Sequence, residues 1–324
     1  MKISVIVRTN NRPEFLKEAL VSIELQTHTD WEVLLFDDSA SDINFSIYKW
    51  FKERNPEKRV GYFTTKDSYD LFKNSWLIAP DLSMGEIMVR LDDDDILAED
   101  TLEYLNYLYT KNPELEFSYG SCCVFGENGL HNIIQTKTPF EHPKTRNQWS
   151  AYTIPNNHPW THPWSWTNNY FDEPTPYSSI IHAAKANQLS IFHTYVMRTS
   201  SVRKVKDKIT MTSNFVDDLE FLGSLDYLGL GQTSVKRILT YVRVHKDGRV
   251  SDNGKEVMGQ SMYQENFRIR DKVDELRTSG FLSKVITPLD APHNSNNGVD
   301  SELILKFTNH HNKIKHIVSG FGAQ

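Results

Sequence analysis

The chain has 324 residues, 39% of them hydrophobic, and 36 Lys plus Arg against 42 Asp plus Glu give a formal net charge of −6. That length suits one large domain or two small ones with a sizeable core, and the acidic balance argues against coating nucleic acid through bulk charge. The two cysteines, Cys122 and Cys123, are adjacent, which excludes a disulfide framework and suits a reducing, cytoplasmic setting.

The chain opens on a β-branched strand, ISVIV (3–7), whose apolar run is too short for a signal peptide; no stretch reaches the length of a membrane span. A helix follows over 13–26, with Pro13 in a plausible first position and apolar residues at Phe15, Leu16, Ala19, Leu20 and Ile23. WEVLLF (31–36) reads as a second strand ending at Asp37-Asp38. A helix over 44–54, a strand over 59–63 and a helix over 68–79 come next. EIMVRL (86–91) is a fourth strand running into four aspartates. A helix (100–112) and a strand (115–120) follow, with the cysteines as small buried residues at that strand's end. Strand and helix alternating in this way predict a mostly parallel sheet with helices on both faces. Right-handed crossovers then bring residues 9–12, Asp37-Asp38 and Asp92 to Asp95 to one crevice at the carboxyl ends of the strands.

Residues 126–177 are rich in Pro, Asn, His and Trp and read as a long loop. Beyond it come a helix (178–188), a strand (191–198), a helix (217–229) and a strand (234–245). From about 253 the chain is polar and helical, with a linker near 287–298 and a last helix over 300–318. The division expected is 1–125 and 126–252 as two halves of one α/β domain, and 253–324 as a helical extension.

The stretch LDDDDIL (91–97) poses the chemical question. Hard cations such as Mg2+ or Mn2+ take carboxylate oxygens together with substrate phosphates, and a D-x-D pattern after a strand offers them on one turn. Asp94 or Asp95 can instead cap the next helix, but a cap accounts for one carboxylate of the four. Asp37-Asp38 can accept bonds from a ribose or a base edge, or close an Asx-type turn with Ser39 and Ser41. No Gly-rich phosphate loop is present, so a metal and basic side chains must meet the phosphates. Trp149, Trp160, Trp164 and Trp166 offer either a stacking wall for a sugar or base or packing for their own loop. Pro159 and Pro163 argue against a helical zinc site at His158 and His162.

Five blocks in order resemble the GT-A fold, family 2 glycosyltransferases: residues 3–42, SMGEIMVRLDDDDIL, MRTSSVRKV, FVDDLEFLGSL and LTYVRVHKDGRVS. The likeness covers about residues 1–252 and implies that 1–125 is the nucleotide-sugar-binding half and 126–252 the acceptor-binding half. It implies a metal-dependent inverting transfer of a sugar from a nucleotide diphosphate, with UDP as the nucleotide, Mn2+ or Mg2+ as the ion and a surface glycan as acceptor. It places Thr9 and Asp38 on the nucleobase, Asn11 and Arg12 at its edge, Lys73-Asn74 near the nucleotide, Asp92 at the ribose with Asp93 beside it, and Asp94 on the metal. Asp217-Asp218 becomes the acidic pair, Asp218 the favoured base. His245 completes the metal site or touches the diphosphate, and Arg243 helps hold the diphosphate. Trp164, Trp166 and His193 would line the acceptor site. Arg8 stands where the family often has proline, and Asn10-Asn11 where it often has aromatic-Asn.

Two alternatives stand beside this. One is a hydroxylated base of phage-type DNA as acceptor, served by KVKDK (204–208) and NKIKH (312–316), each equally a solvated face. The other is a sugar nucleotidyltransferase, whose usual Gly-rich basic loop is missing after the first strand. The C-terminal helices are expected to join copies of the chain or to cover the acceptor site.

Overall fold

The computed structural model describes residues 1–39, 42–64, 70–126, 129–130, 194–212, 217–243 and 301–321, with a few single positions between 245 and 286. The first half runs β1 (Ile3–Thr9), α1 (Pro13–Glu24), β2 (Trp31–Asp37), α2 (Ile43–Arg54), β3 (Val60–Thr64), α3 (Asp70–Leu82), β4 (Ile87–Asp92), β5 (Ile96–Leu97), α4 (Thr101–Lys111) and β6 (Phe117–Gly126). The second runs β7 (Gly129–Leu130), β8 (Thr194–Arg198), α5 (Thr199–Val205), a 3-10 turn (Lys206–Lys208), α6 (Asp217–Tyr227), β9 (Gln232–Arg243) and α7 (Ser301–Ser319).

The sheet order is β3-β2-β1-β4-β8-β6-β9-β5, with β7 on β6. Strands β3, β2, β1 and β4 are mutually parallel. β8 then runs antiparallel between β4 and β6, and β9 is parallel to β6. Both faces of the parallel part are covered, which is why its strands read as unbroken apolar runs. Val5, Val7, Val33 and Leu35 pack against α1, α2 and α4 on one face. The alternate residues Ile6, Leu34, Phe36 and Met88 pack with Trp76 of α3, Val202 of α5 and Phe221 of α6 on the other. A third cluster gathers Ile96, Cys123, Phe125 and Tyr241 under Phe307 and Ile314 of α7.

Three local readings change. The cysteines lie inside β6, which continues to Gly126, rather than at its end. α5 begins directly after β8 and is a helix that the MRTSSVRKV block did not announce as one. Neither Asp94 nor Asp95 caps a helix: β5 intervenes, and Asp100 holds the N-cap position of α4 without a side-chain cap bond. The aromatic loop, the expected helix at 178–188 and the linker at 287–298 lie outside the described residues. Among the described residues, no helix is long and apolar enough to cross a membrane.

Candidate active site

The register places the functional strand ends side by side, with Thr9 opposite Asp37 and Arg8 opposite Asp92. After β1 the chain turns through Asn11, whose φ of 52° lies in the left-handed region that Asn tolerates better than most residues. That turn aims two successive amides at the neighbouring loops. Asn10 N–H donates to Asp93 Oδ2 at 3.2 Å, and Asn11 N–H to Ser39 Oγ at 2.8 Å. The loops after β1, β2 and β4 are therefore tied together, as the crossover argument required.

The two carboxylates after β2 divide their work. Asp37 is buried and accepts from Ser39 N–H (2.9 Å), Asn44 Nδ2 (3.1 Å) and the Tyr62 hydroxyl (2.5 Å). Burial and the bond to Asp37 push the Tyr62 hydroxyl well above its usual range. Asp37 thus holds the loop. Asp38 is half-buried, and its N–H donates to Thr9 O at 3.0 Å.

The four aspartates after β4 have four different surroundings. Asp92, with a side chain 36% exposed, accepts from Arg90 at 2.7 Å. Asp93 is buried and accepts from Thr9 Oγ1 at 2.7 Å and Arg12 at 3.1 Å. Asp94 meets Arg12 at 2.5 Å and His245 Nε2 at 3.1 Å through the same oxygen. Asp95 is buried, donates its N–H to Asp92 O at 3.2 Å and accepts from Arg243 N–H at 2.9 Å. Carboxylate oxygens of Asp92, Asp94 and Asp95 all come within 4.8 Å of one another. Crowded like charges and burial have the expected effect. Burial and then the Asp94 charge push the Asp93 carboxyl up to about 7, and burial with the Asp94 and Asp92 charges raises Asp95 well above its usual range. At Asp94 burial also opposes ionisation, but the bond from His245 and the Arg12 charge outweigh it and hold that carboxyl low.

The acidic pair at the start of α6 is split in the same way. Asp217 is buried against the Arg8 guanidinium, which it meets through both carboxylate oxygens, and Trp76 Nε1 donates to it at 2.5 Å. Arg90 lies 3.8 Å away, with its guanidinium 4.4 Å from the Trp76 ring centre. Burial opposes ionisation of Asp217, yet the charges of Arg8 and Arg90 win and keep its carboxyl below the usual range. Asp218 is half-buried, with the Tyr195 hydroxyl 3.5 Å from Oδ2.

Arg243 turns inward. Its Nε donates to Asp94 O at 2.9 Å and its terminal nitrogen to Glu18 at 2.6 Å, between the rings of Phe15 and Phe125. Lys73 and Asn74 fall on α3 with side chains outside the described set, as are Trp164, Trp166 and His193 altogether. Sequence reasoning missed Trp76, Asn44, Tyr62, Glu18 and Tyr195, and saw in Arg8 only a departure. A signal was present for Arg8 and Arg90: each is a cation inside an otherwise apolar strand, which demands a buried acid.

The acidic cluster thus lies at the carboxyl edge of the parallel strands, beside the loops after β1 and β2. Residues 4–162 match the family profile described as Glycosyl transferase family 2. The chain is 33% identical over 139 residues to the GalNAc(5)-diNAcBac-PP-undecaprenol beta-1,3-glucosyltransferase of Campylobacter jejuni, covering 42% of this chain and 43% of that protein. It is 31% identical over 96 residues to glycosyltransferase alr2836 of Nostoc, 30% of this chain and 29% of the relative. It therefore spans less than half the length of these curated relatives. Among solved structures, S. aureus TarS 1-349 superposes with a TM-score of 0.53 at 15% identity, covering 99% of this chain and 74% of that one. The UDP complex of the same protein gives 0.52 at 14% identity, covering 100% and 75%. Residues 4–162 thus carry the glycosyl transferase family 2 match, on a GT-A fold.

Proposed function

We propose that the chain is a metal-dependent inverting glycosyltransferase, moving a sugar from a nucleoside diphosphate to an acceptor hydroxyl. The observation that carries this reading is the convergence of Asp92, Asp94 and Asp95 within 4.8 Å on the strand edge that also bears Thr9 and Asp38. The residues fit a hard divalent ion: the donors are three carboxylate oxygens close together, and the Asp94 carboxyl is held ionised. Asp94 would hold Mn2+ or Mg2+ with Asp92, Asp95 and the adjacent His245. Such an ion, when bound, offsets the charge that develops on the leaving diphosphate.

The chain's own residues do the rest. Thr9, Asn11, Arg12 and Asp38 receive and orient the nucleotide, with Asp93 bracing Thr9 and Arg12 and with Lys73 and Asn74 nearby. UDP is the nucleotide in the TarS complex that shares this fold, and it is the one we assign. Asp218 takes the proton from the acceptor hydroxyl as that oxygen attacks the anomeric carbon opposite the diphosphate, which inverts the centre. Asp217, bound by Arg8, supports α6 rather than accepting a proton, because a carboxylate paired to a buried arginine is a poor base. Trp164, Trp166 and His193 keep their acceptor role, and a lipid-linked or surface glycan is the acceptor class, in line with the undecaprenol-linked substrate named for the Campylobacter relative.

The test is UDP release from a panel of UDP-sugars with Mn2+ or with chelator. Release is expected to need the ion and to fall by about 100-fold or more in Asp94→Asn and in Asp218→Asn. Asp218→Asn should still bind UDP. Turnover that is indifferent to chelator, or that survives Asp94→Asn, sinks the reading.

A further inference from the structure

α7 lies outside residues 4–162 that match the family profile, yet it reaches the acidic turn by two routes. It packs along α1 and buries Phe307, His310, His311 and Ile314. His310 Nε2–H donates to the carbonyl of Leu97 at 3.0 Å, two residues after Asp95. His311 Nε2 lies 2.9 Å from Glu18 Oε2, the same oxygen that the Arg243 guanidinium meets at 2.6 Å. Arg243 then grips the turn twice, by Nε–H to Asp94 O and by its backbone N–H to Asp95 Oδ1, both at 2.9 Å.

Packing reinforces this line. The Arg243 guanidinium lies 4.6 Å from the Phe15 ring and 4.5 Å from the Phe125 ring. Phe125 in turn meets Phe307 at 5.0 Å and His311 at 5.4 Å. Burial disfavours the charged form of Glu18, but the bond from His311 and the charge of Arg243 prevail and hold its carboxyl low. A carboxylate shared between two fixed donors in this way locks the rotamer of each.

We infer that α7 is a strut for the metal-binding turn, and that His311, Glu18 and Arg243 are positioning residues for Asp94 and Asp95. The inference rests on the metal-dependent reading. It also gives Arg243 a different task from binding diphosphate: its guanidinium is spent on Glu18, Asp94 O and two rings. Groups that orient metal ligands from behind change metal affinity by about 10- to 100-fold when removed.

The experiment measures Mn2+ binding calorimetrically, with saturating UDP, on the full chain and well below each variant's Tm. His311→Ala should weaken Mn2+ binding by about 10-fold. His311→Gln, which keeps a donor for Glu18, should recover most of that loss. Ile314→Ala removes packing from the same helix without touching Glu18, so it should lower Tm yet leave Mn2+ affinity within about twofold. If the wild type binds Mn2+ and His311→Ala binds it equally well, the strut is wrong and the metal reading stands. If Ile314→Ala weakens binding as much as His311→Ala, affinity merely follows helix stability and the inference fails. If the wild type binds no Mn2+, the metal reading falls and takes the inference with it.

Discussion

Asp217 and Asp218 are neighbours with opposite fates, and the difference is a matter of company. Asp217 is spent between Arg8, Arg90 and Trp76, whereas Asp218 keeps a half-buried carboxylate beside Tyr195. Replacing Asp217 by Asn leaves two buried arginines short of a counter-charge and should cost about 3–5 kcal/mol of stability at pH 7, read by chemical denaturation. The pH dependence has a definite sign. The folded-state pKa is lowered, so the stabilisation is complete above the unfolded value of about 3.9 and is lost as pH falls through the folded value. The stability gap between wild type and Asp217→Asn should thus stay constant from pH 8 to 5 and close only under stronger acid. A gap that closes near neutrality would mean that another group titrates in its place.

At the scale of elements, the two edges of the parallel strands do different work. The carboxyl edge carries the site, and the amino edge carries a lock. Glu32, at the start of β2 and fully buried, accepts from Ser4 Oγ and Met84 N–H at 2.5 Å and from Gly85 N–H at 3.2 Å, and pairs with Arg59. That one carboxylate stitches β2 to β1 and to the entry of β4. Glu32→Ala should lower stability by roughly 2–3 kcal/mol through the donors it strands. UDP affinity of the folded fraction should be unchanged, since the site lies at the other end of the strands. Gly85 belongs to the same joint: an added Cβ would lie inside contact distance of the Ser4 backbone and Oγ, with Ser4 Oγ at 2.6 Å, so Gly85→Ala should destabilise as well.

For the whole molecule, ligand and fold are linked by mass action. A ligand at about 100 times its Kd adds about 2.7 kcal/mol to stability. On the proposed metal-dependent reading, UDP with Mn2+ should raise the Tm by several degrees, and UDP with chelator by much less. Asp94→Asn should erase the difference between the two. A thermal-shift series of four samples decides it.

How much of this could be read from residues alone differs from element to element. The helices α1 and α4 were legible because each is amphipathic, and the strands β1, β2 and β4 because strands covered on both faces read as apolar runs. The convergence of Thr9, Asp38 and the aspartates followed from chain order and crossover handedness. The site's division of labour was not legible. Nothing local distinguishes Asp37 from Asp38 or Asp217 from Asp218. The first of each pair is claimed by partners far away in sequence, Tyr62 for Asp37 and Arg8 for Asp217. The tail was legible as a helix but not as a neighbour of the acidic turn, since Glu18 and His311 are 293 positions apart.

Taken alone, the order of residues determined which segments fold, which edge of the sheet is acidic and which family the chain resembles, because these depend on periodicity and on the sequence of elements. Tertiary structure decided which carboxylates are buried among long-range partners and which stay half-buried at the strand edge. Burial and long-range pairing set that choice, and both are properties of what packs against a residue rather than of what precedes or follows it.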